Sequence, residues 1–266
     1  MSDPISGRRI GDLTFPELAR ELDQASILCL PIGAIEQHGP HLPLNTDVII
    51  AEEMTHRLIA RWADDFDLWQ LPTLSIGLSR EHDWAPGTLS LSILSFTALM
   101  RDLGRSIQQN LPTRNLVIIN GHGGNRGVLQ TLIYELEGDF ELNTCVIHPL
   151  ALAKTEMDSD VPEIHGGKDE TSVMLAVRPD LVRKEMIGSS TSVPDVKLVK
   201  EFVIAPGATW AWSSADKRIA DQGVTGQPAE SSAEFGNAVI ESVVGEAGEV
   251  LARLIEGQDR EDREDL

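Results

Sequence analysis

The 266 residues are 41% apolar and 24% charged, enough for a sizeable buried core in one large domain. With 42 acidic against 22 basic side chains the net charge is −20, and no Lys/Arg cluster interrupts it, which excludes binding nucleic acid through the phosphate backbone. No apolar run of about eighteen residues predicts a membrane span, and the two cysteines lie in apolar runs without a disulfide framework, so the expected location is the cytoplasm.

Strand-length apolar runs alternate with helix-length periodic segments, the pattern of an α/β fold on a mainly parallel sheet. ASILCLPIG (25–33) reads as the first strand and TDVIIAEEMTHRLIARWADD (46–65) as the helix after it. WQLPTLSIG (69–77) is the second strand, followed by the turn-rich EHDWAPGTLSL (81–91). ILSFTALMRDLGRSIQQN (93–110) is an amphipathic helix leading into a third strand, NLVIING (115–121). GHGGNRG breaks that strand and opens the helix GVLQTLIYELEG (127–138), and NTCVIHPL (143–150) is a fourth strand. Beyond residue 151 the pattern loosens: TSVMLAVRPDLV (171–182) begins with a short helix, and 200–228 reads as surface excursions. SSAEFGNAVIESVVGEAGEVLARLIEG (231–257) predicts a last helix packed on the sheet. Residues 1–256 are expected to form a single domain, and 257–266 an acidic, disordered tail.

Ligands of open α/β sheets bind beyond the carboxyl ends of the strands, so the loops there are the ones to search. The first carries Glu36, His38, His41 and Asp47; the second Glu81, His82 and Asp83; the third Asn120 and His122. The region after the fourth adds His165, Asp169 and Glu170. Glu36 and His38 are two apart, so in extended chain they leave one face and can reach one ion. Asp47 returns after a loop stiffened by Pro40 and Pro43, and a carboxylate there can bridge two cations. Mixed His and carboxylate ligation suits Zn, Mn or Fe, and a pair of such ions points to metal-assisted hydrolysis. His41 fits a supporting role, and His56 and His148 structural ones. GHGGN lacks the Lys-Ser/Thr of a phosphate loop, no Ser lies in a GxSxG context, and neither Cys lies in an electropositive loop.

PIGAIEQHGPHLPLNTD, EHDWAPGTLSL, NGHGGN and HGGKDETS, in this order, resemble the signature segments of the creatininase (creatinine amidohydrolase) family. The resemblance implies a three-layer α/β/α, creatininase-like fold, a homo-oligomer (commonly a hexamer) and two divalent metal ions per subunit. Carried over by position, Glu36 and His122 hold one ion, His38 the other, and Asp47 bridges them. Creatininase has a glutamate two residues after the NGH histidine where this chain has Gly124, and members with an HGGN turn use the glutamate of the ETS segment, here Glu170. Creatininase also encloses its substrate with tryptophans upstream of its HAG segment, whereas 151–164 contain no aromatic residue, so a family member other than creatininase is expected. The implied chemistry is attack by a metal-bridging hydroxide on the carbonyl of a small-molecule cyclic amide or another non-peptide C–N bond. His165 is expected to protonate the leaving nitrogen, with Glu81 or His82 orienting substrate or carrying a second proton. Ser79, Gly123, Trp84 and Trp212 are the expected substrate contacts. Family relatives acting on a formamide, a peptide bond or a keto-inositol ring, and a non-catalytic metal-binding oligomer, are the alternatives.

Overall fold

The computed structural model describes residues 5–155, 160–189 and 193–264, with side chains as far as residue 256. Four parallel strands form the sheet: β1 (Ile27–Ile32), β2 (Leu68–Gln70), β3 (Asn115–Asn120) and β4 (Asn143–Ile147), in the order β2-β1-β3-β4. β1 and β3 are buried at every position because each has a strand on both sides and helices on both faces. The helices are α1 (Phe15–Glu21), α2 (Thr46–Phe66), α3 (Ile93–Asn110), α4 (Arg126–Phe140), α5 (Pro149–Leu152), α6 (Lys168–Val177), α7 (Val196–Phe202) and α8 (Ala233–Glu264).

Strand side chains alternate between two cores. Ile27, Cys29, Val117 and Ile119 pack with Met54 and Leu58 of α2, Val173 of α6 and Val243 of α8. Leu28, Leu30, Leu116 and Ile118 pack with Phe96 and Met100 of α3 and Leu132 and Leu136 of α4. The result is the expected three-layer α/β/α architecture.

The second strand is shorter than its sequence suggests. Pro72 has no N–H to give the ladder, so β2 stops at Gln70, and beyond it the pairing continues through Leu71 N–H on Cys29 O and the bridge Ile32–Leu74. Three short helices, α1, α5 and α7, lie outside the sequence reading, since four to seven residues hold too few turns for a periodicity to show; α5 begins at Pro149, so the fourth strand ends at Ile147 rather than at 150. α1 and α7 are each held by a cap: the Thr14 N–H donates to Glu17 Oε2 (2.8 Å), and Leu198 N–H donates to Asp195 Oδ1 (2.9 Å). α8 runs past Gly257 to Glu264, into the acidic stretch, whose last two residues lie outside the described residues. Among the described residues no helix is long and apolar enough to cross a membrane.

Candidate metal centre

At the carboxyl edge of the sheet the chain leaves β1 carrying Glu36 and His38, both fully buried. It returns through the His38–Leu42 bridge to place Asp47, 1% exposed, in the first turn of α2. The end of β3 delivers His122 alongside, where Gly121 is required because a Cβ there would run into the Asp47 carbonyl oxygen. Glu170 comes from the first turn of α6, and His165 from a segment bridged to Thr225.

Asp47 divides its carboxylate between two rings. Oδ1 lies 3.0 Å from His38 Nε2, and Oδ2 lies 2.9 Å from His122 Nδ1. The other nitrogen of each ring faces a main-chain carbonyl: His38 Nδ1 is 3.1 Å from Glu36 O and His122 Nε2 is 2.6 Å from Leu78 O. A carbonyl only accepts, so those nitrogens donate, and in the neutral rings the lone pairs of His38 Nε2 and His122 Nδ1 face Asp47. Lone pairs meet carboxylate oxygens favourably only with a proton or a metal cation between them.

Glu36 adds the same demand. Both its oxygens are buried without a hydrogen-bond partner, and Oε1 is 3.3 Å from His122 Nδ1, 3.4 Å from His82 Nε2 and 3.5 Å from His165 Nδ1. His38, Asp47 and Glu170 offer three ligand atoms within 4.8 Å of one another; so do Glu36, Glu81 and His122, and Glu36, His38 and His165. Carboxylates buried this way cost on the order of several kcal/mol each unless a positive charge offsets them. The donor set fits divalent cations with His and carboxylate ligands.

The acidic cluster draws positive charge to these rings. Burial opposes charge on His38, yet Asp47 and Glu170 outweigh it and raise the imidazole to about 10; burial is likewise overcome at His122 by Glu36 and Asp47. Burial pushes the Glu170 carboxyl up to about 7, with His38 offsetting part of the effect, and Gly166 N–H donates to its Oε2 at 2.6 Å. His82 and His165 are instead held down, by burial first and by neighbouring histidines second, His165 to about 4. Cys29 and Cys145 are free, and burial raises both thiols to about 12, so neither is a ready nucleophile.

At Gly124, where the chain is expected to depart from creatininase, the geometry is specific. A Cβ at that position would lie 2.6 Å from Glu81 Oε1 and 2.5 Å from His122 Nε2, so Glu81 occupies the space a side chain at 124 would enter. His41 donates or accepts at Nε2 with Thr171 Oγ1 (2.8 Å), a contact that fastens the loop to α6.

The expected substrate contacts do not collect in one place. A cavity of about 270 Å³ opens beside the centre, lined by His122, Gly123, His165 and Glu170, but not by Ser79, Trp84 or Trp212. Ser79 is fully buried, Trp84 donates its Nε1–H to Ser214 Oγ (2.8 Å), and Trp212 stands edge-on to His82 at 5.9 Å while lining a separate surface groove. Sequence reasoning missed Gln37 and Ser214. Gln37 Nε2 lies 3.0 Å from His82 Nδ1, 3.0 Å from His165 Nε2 and 3.0 Å from Gly223 O, and Ser214 Oγ is 2.7 Å from His82 Nδ1. Gln37 sits between two ligand-type residues and was open to suspicion; Ser214 carries no local signal at all.

The family pattern described as Creatininase: Creatinine amidohydrolase matches residues 11–251. The chain belongs to the creatininase family. It is 31% identical to a mycofactocin precursor peptide peptidase of Mycobacterium tuberculosis over 235 residues, covering 85% of this chain and 84% of that protein. It is also 31% identical to a creatinine amidohydrolase of Pseudomonas putida over 194 residues, 65% and 73% of the two chains. A solved manganese creatininase superposes with a TM-score of 0.68 at 26% identity, covering 92% of this chain and 98% of that one, and a mutant creatininase of Zn–Zn type gives 0.66 at 26%, covering 92% and 97%.

Proposed function

We propose that this creatininase-family chain is a dinuclear metal-dependent hydrolase of amide C–N bonds. The observation that carries the reading is the Asp47 carboxylate shared between two imidazole lone pairs, with unpartnered Glu36 beside one and Glu170 near the other. Glu36 and His122 would hold one ion, His38 and Glu170 the second, and Asp47 both. Manganese and zinc, named for the similar creatininases, lead iron as candidates. Such ions, when bound, supply an acidified water and polarise a carbonyl.

The chain's own residues manage the protons. His165 Nε2–H donates to Gln37 O (2.5 Å), so Nδ1, which faces Glu36, is the atom that takes a proton and returns it to the leaving nitrogen. Gln37 uses one amide hydrogen on Gly223 O and offers the other to His82 Nδ1, which leaves the His82 proton on Nε2 toward Glu36 Oε1. His82 stacks on His165 with ring centroids 4.0 Å apart and fixes its plane. Glu81 borders the centre from the opposite loop and orients what binds there.

A small cyclic amide or other non-peptide C–N bond heads the substrate classes, in keeping with the cavity's size. A peptide bond is the second reading, favoured by the mycobacterial peptidase that matches over 85% of this chain. The chain is further proposed to work as a cytoplasmic homo-oligomer. Two measurements test the reading: metal content after reconstitution with zinc or manganese, expected near two ions per chain, and turnover across cyclic amides, formamides, peptides and carbocyclic ketones. Fewer than one ion would defeat the dinuclear centre, and turnover of ketones alone would defeat amide hydrolysis.

A further inference from the structure

Arg126 opens α4 and lines the same 270 Å³ cavity as His122 and His165. In a chain with 42 acidic residues, most arginines find a carboxylate; the Arg126 guanidinium makes no ion pair or hydrogen bond among the described residues, its backbone N–H alone being tied, to Gly123 O. Beside it in the cavity wall stands His148. Asn120 Nδ2 donates to the carbonyl of His122 (2.6 Å), which fixes the amide's orientation, and the same Nδ2 lies 3.1 Å from His148 Nδ1. His148 Nδ1 is therefore the acceptor and its Nε2–H is the ring's remaining donor. Burial and, after it, the Arg126 charge hold His148 down to about 4, so the ring is neutral and close enough to feel the guanidinium. Glu163, Asp169 and Glu170 also line the cavity; Glu163 is engaged by the N–H groups of Lys168 (2.6 Å) and Gln227 (3.0 Å), and Glu170 belongs to the metal centre.

We propose that Arg126 and His148 bind a carboxylate on the substrate, so that the molecule cleaved is an amide bearing one acidic group. The proposal rests on reading the cavity as the substrate site of the amide hydrolase. A planar fork of N–H donors matches the two oxygens of a carboxylate, and one positive charge with one neutral N–H complements a monoanion rather than a phosphate dianion.

Two arms test it. In the first, zinc-reconstituted protein is titrated calorimetrically with dicarboxylates from malonate to adipate, with monocarboxylates of equal length, and with the matching phosphonocarboxylates. At one chain length the dicarboxylate is expected to bind at least about tenfold tighter than the monocarboxylate, a gain cut to within about twofold in Arg126→Met and partly kept in Arg126→Lys. Absence of any Arg126-dependent gain, or a phosphonate advantage over carboxylate, overturns the proposal. In the second, N-acyl amino acids are compared with their carboxamides: kcat/KM should favour the acids in the wild type, and Arg126→Met should remove the preference. An equal preference in both proteins overturns it as well. If neither compound class is cleaved while the Arg126-dependent binding persists, the carboxylate site stands and the hydrolase reading falls.

Discussion

Asp47 is the residue whose replacement separates the proposed dinuclear centre from simpler arrangements. Among the described residues Asp47 is the only carboxylate within 3.0 Å of both His38 and His122, so Asp47→Ala should lose both proposed ions and activity should fall to background, read by metal analysis of the dialysed variant. Glu170→Gln, by contrast, touches only the His38 side and should leave about one ion bound. Gly124 is the second informative position. Ala there would press its Cβ against Glu81, His122 and the Leu78 carbonyl, and is expected to cost roughly 1–3 kcal/mol by overpacking. Chemical denaturation would read the cost, and metal content would show whether displaced Glu81 weakens the His122 side. Both residues were visible in the sequence, Asp47 as a ligand and Gly124 as a departure. The crowding by Glu81 was not, because residues 81 and 124 meet only in space.

α2 holds the centre to the sheet. Its first turn carries Asp47, and Met54 and Leu58, at 0% and 1% exposure, anchor the following turns on β1 and β3. Met54→Ala should destabilise the metal-free protein by roughly 2–5 kcal/mol, read as a lower urea midpoint. It should also raise the metal dissociation constant, since the helix that positions Asp47 would sit less firmly. The alternation of apolar runs and helical periods gave α2, α3, α4 and the start of α8 near their observed bounds, because each buries a continuous stripe against the sheet. β2 fell short at Pro72 and α1 and α7 escaped notice, since short elements are decided by caps and by single missing donors rather than by periodicity.

For the whole molecule, the proposed ions would tie together the loops after β1 and β3 and the start of α6. Chelation should therefore lower the melting temperature, and the drop should reverse on adding back zinc or manganese, because a ligand that binds only the folded chain stabilises it by mass action. A melting temperature indifferent to chelator would contradict this linkage. Leu89, Ile93 and Leu94 form an exposed apolar run at 52%, 65% and 82% exposure where the loop after β2 enters α3. Such a surface suits the proposed oligomer. Leu94→Glu should shift sedimentation toward the monomer, and an unchanged species would place the contact elsewhere.

By itself the sequence determined the alternating α/β frame, the family, and the set of Glu36, His38, Asp47, His122 and Glu170 as ligand-type residues at strand ends. These follow from local rules: side-chain period, glycine at turns, and residue types whose chemistry is readable one at a time. Only the tertiary structure decided which ring nitrogen faces which oxygen, that Gln37 and Ser214 hold His82 and His165, and that the cavity wall is Arg126 and His148 rather than the tryptophans. Those outcomes depend on distances between residues as many as 186 positions apart, which the packing of four loops on one sheet edge sets and no local pattern encodes.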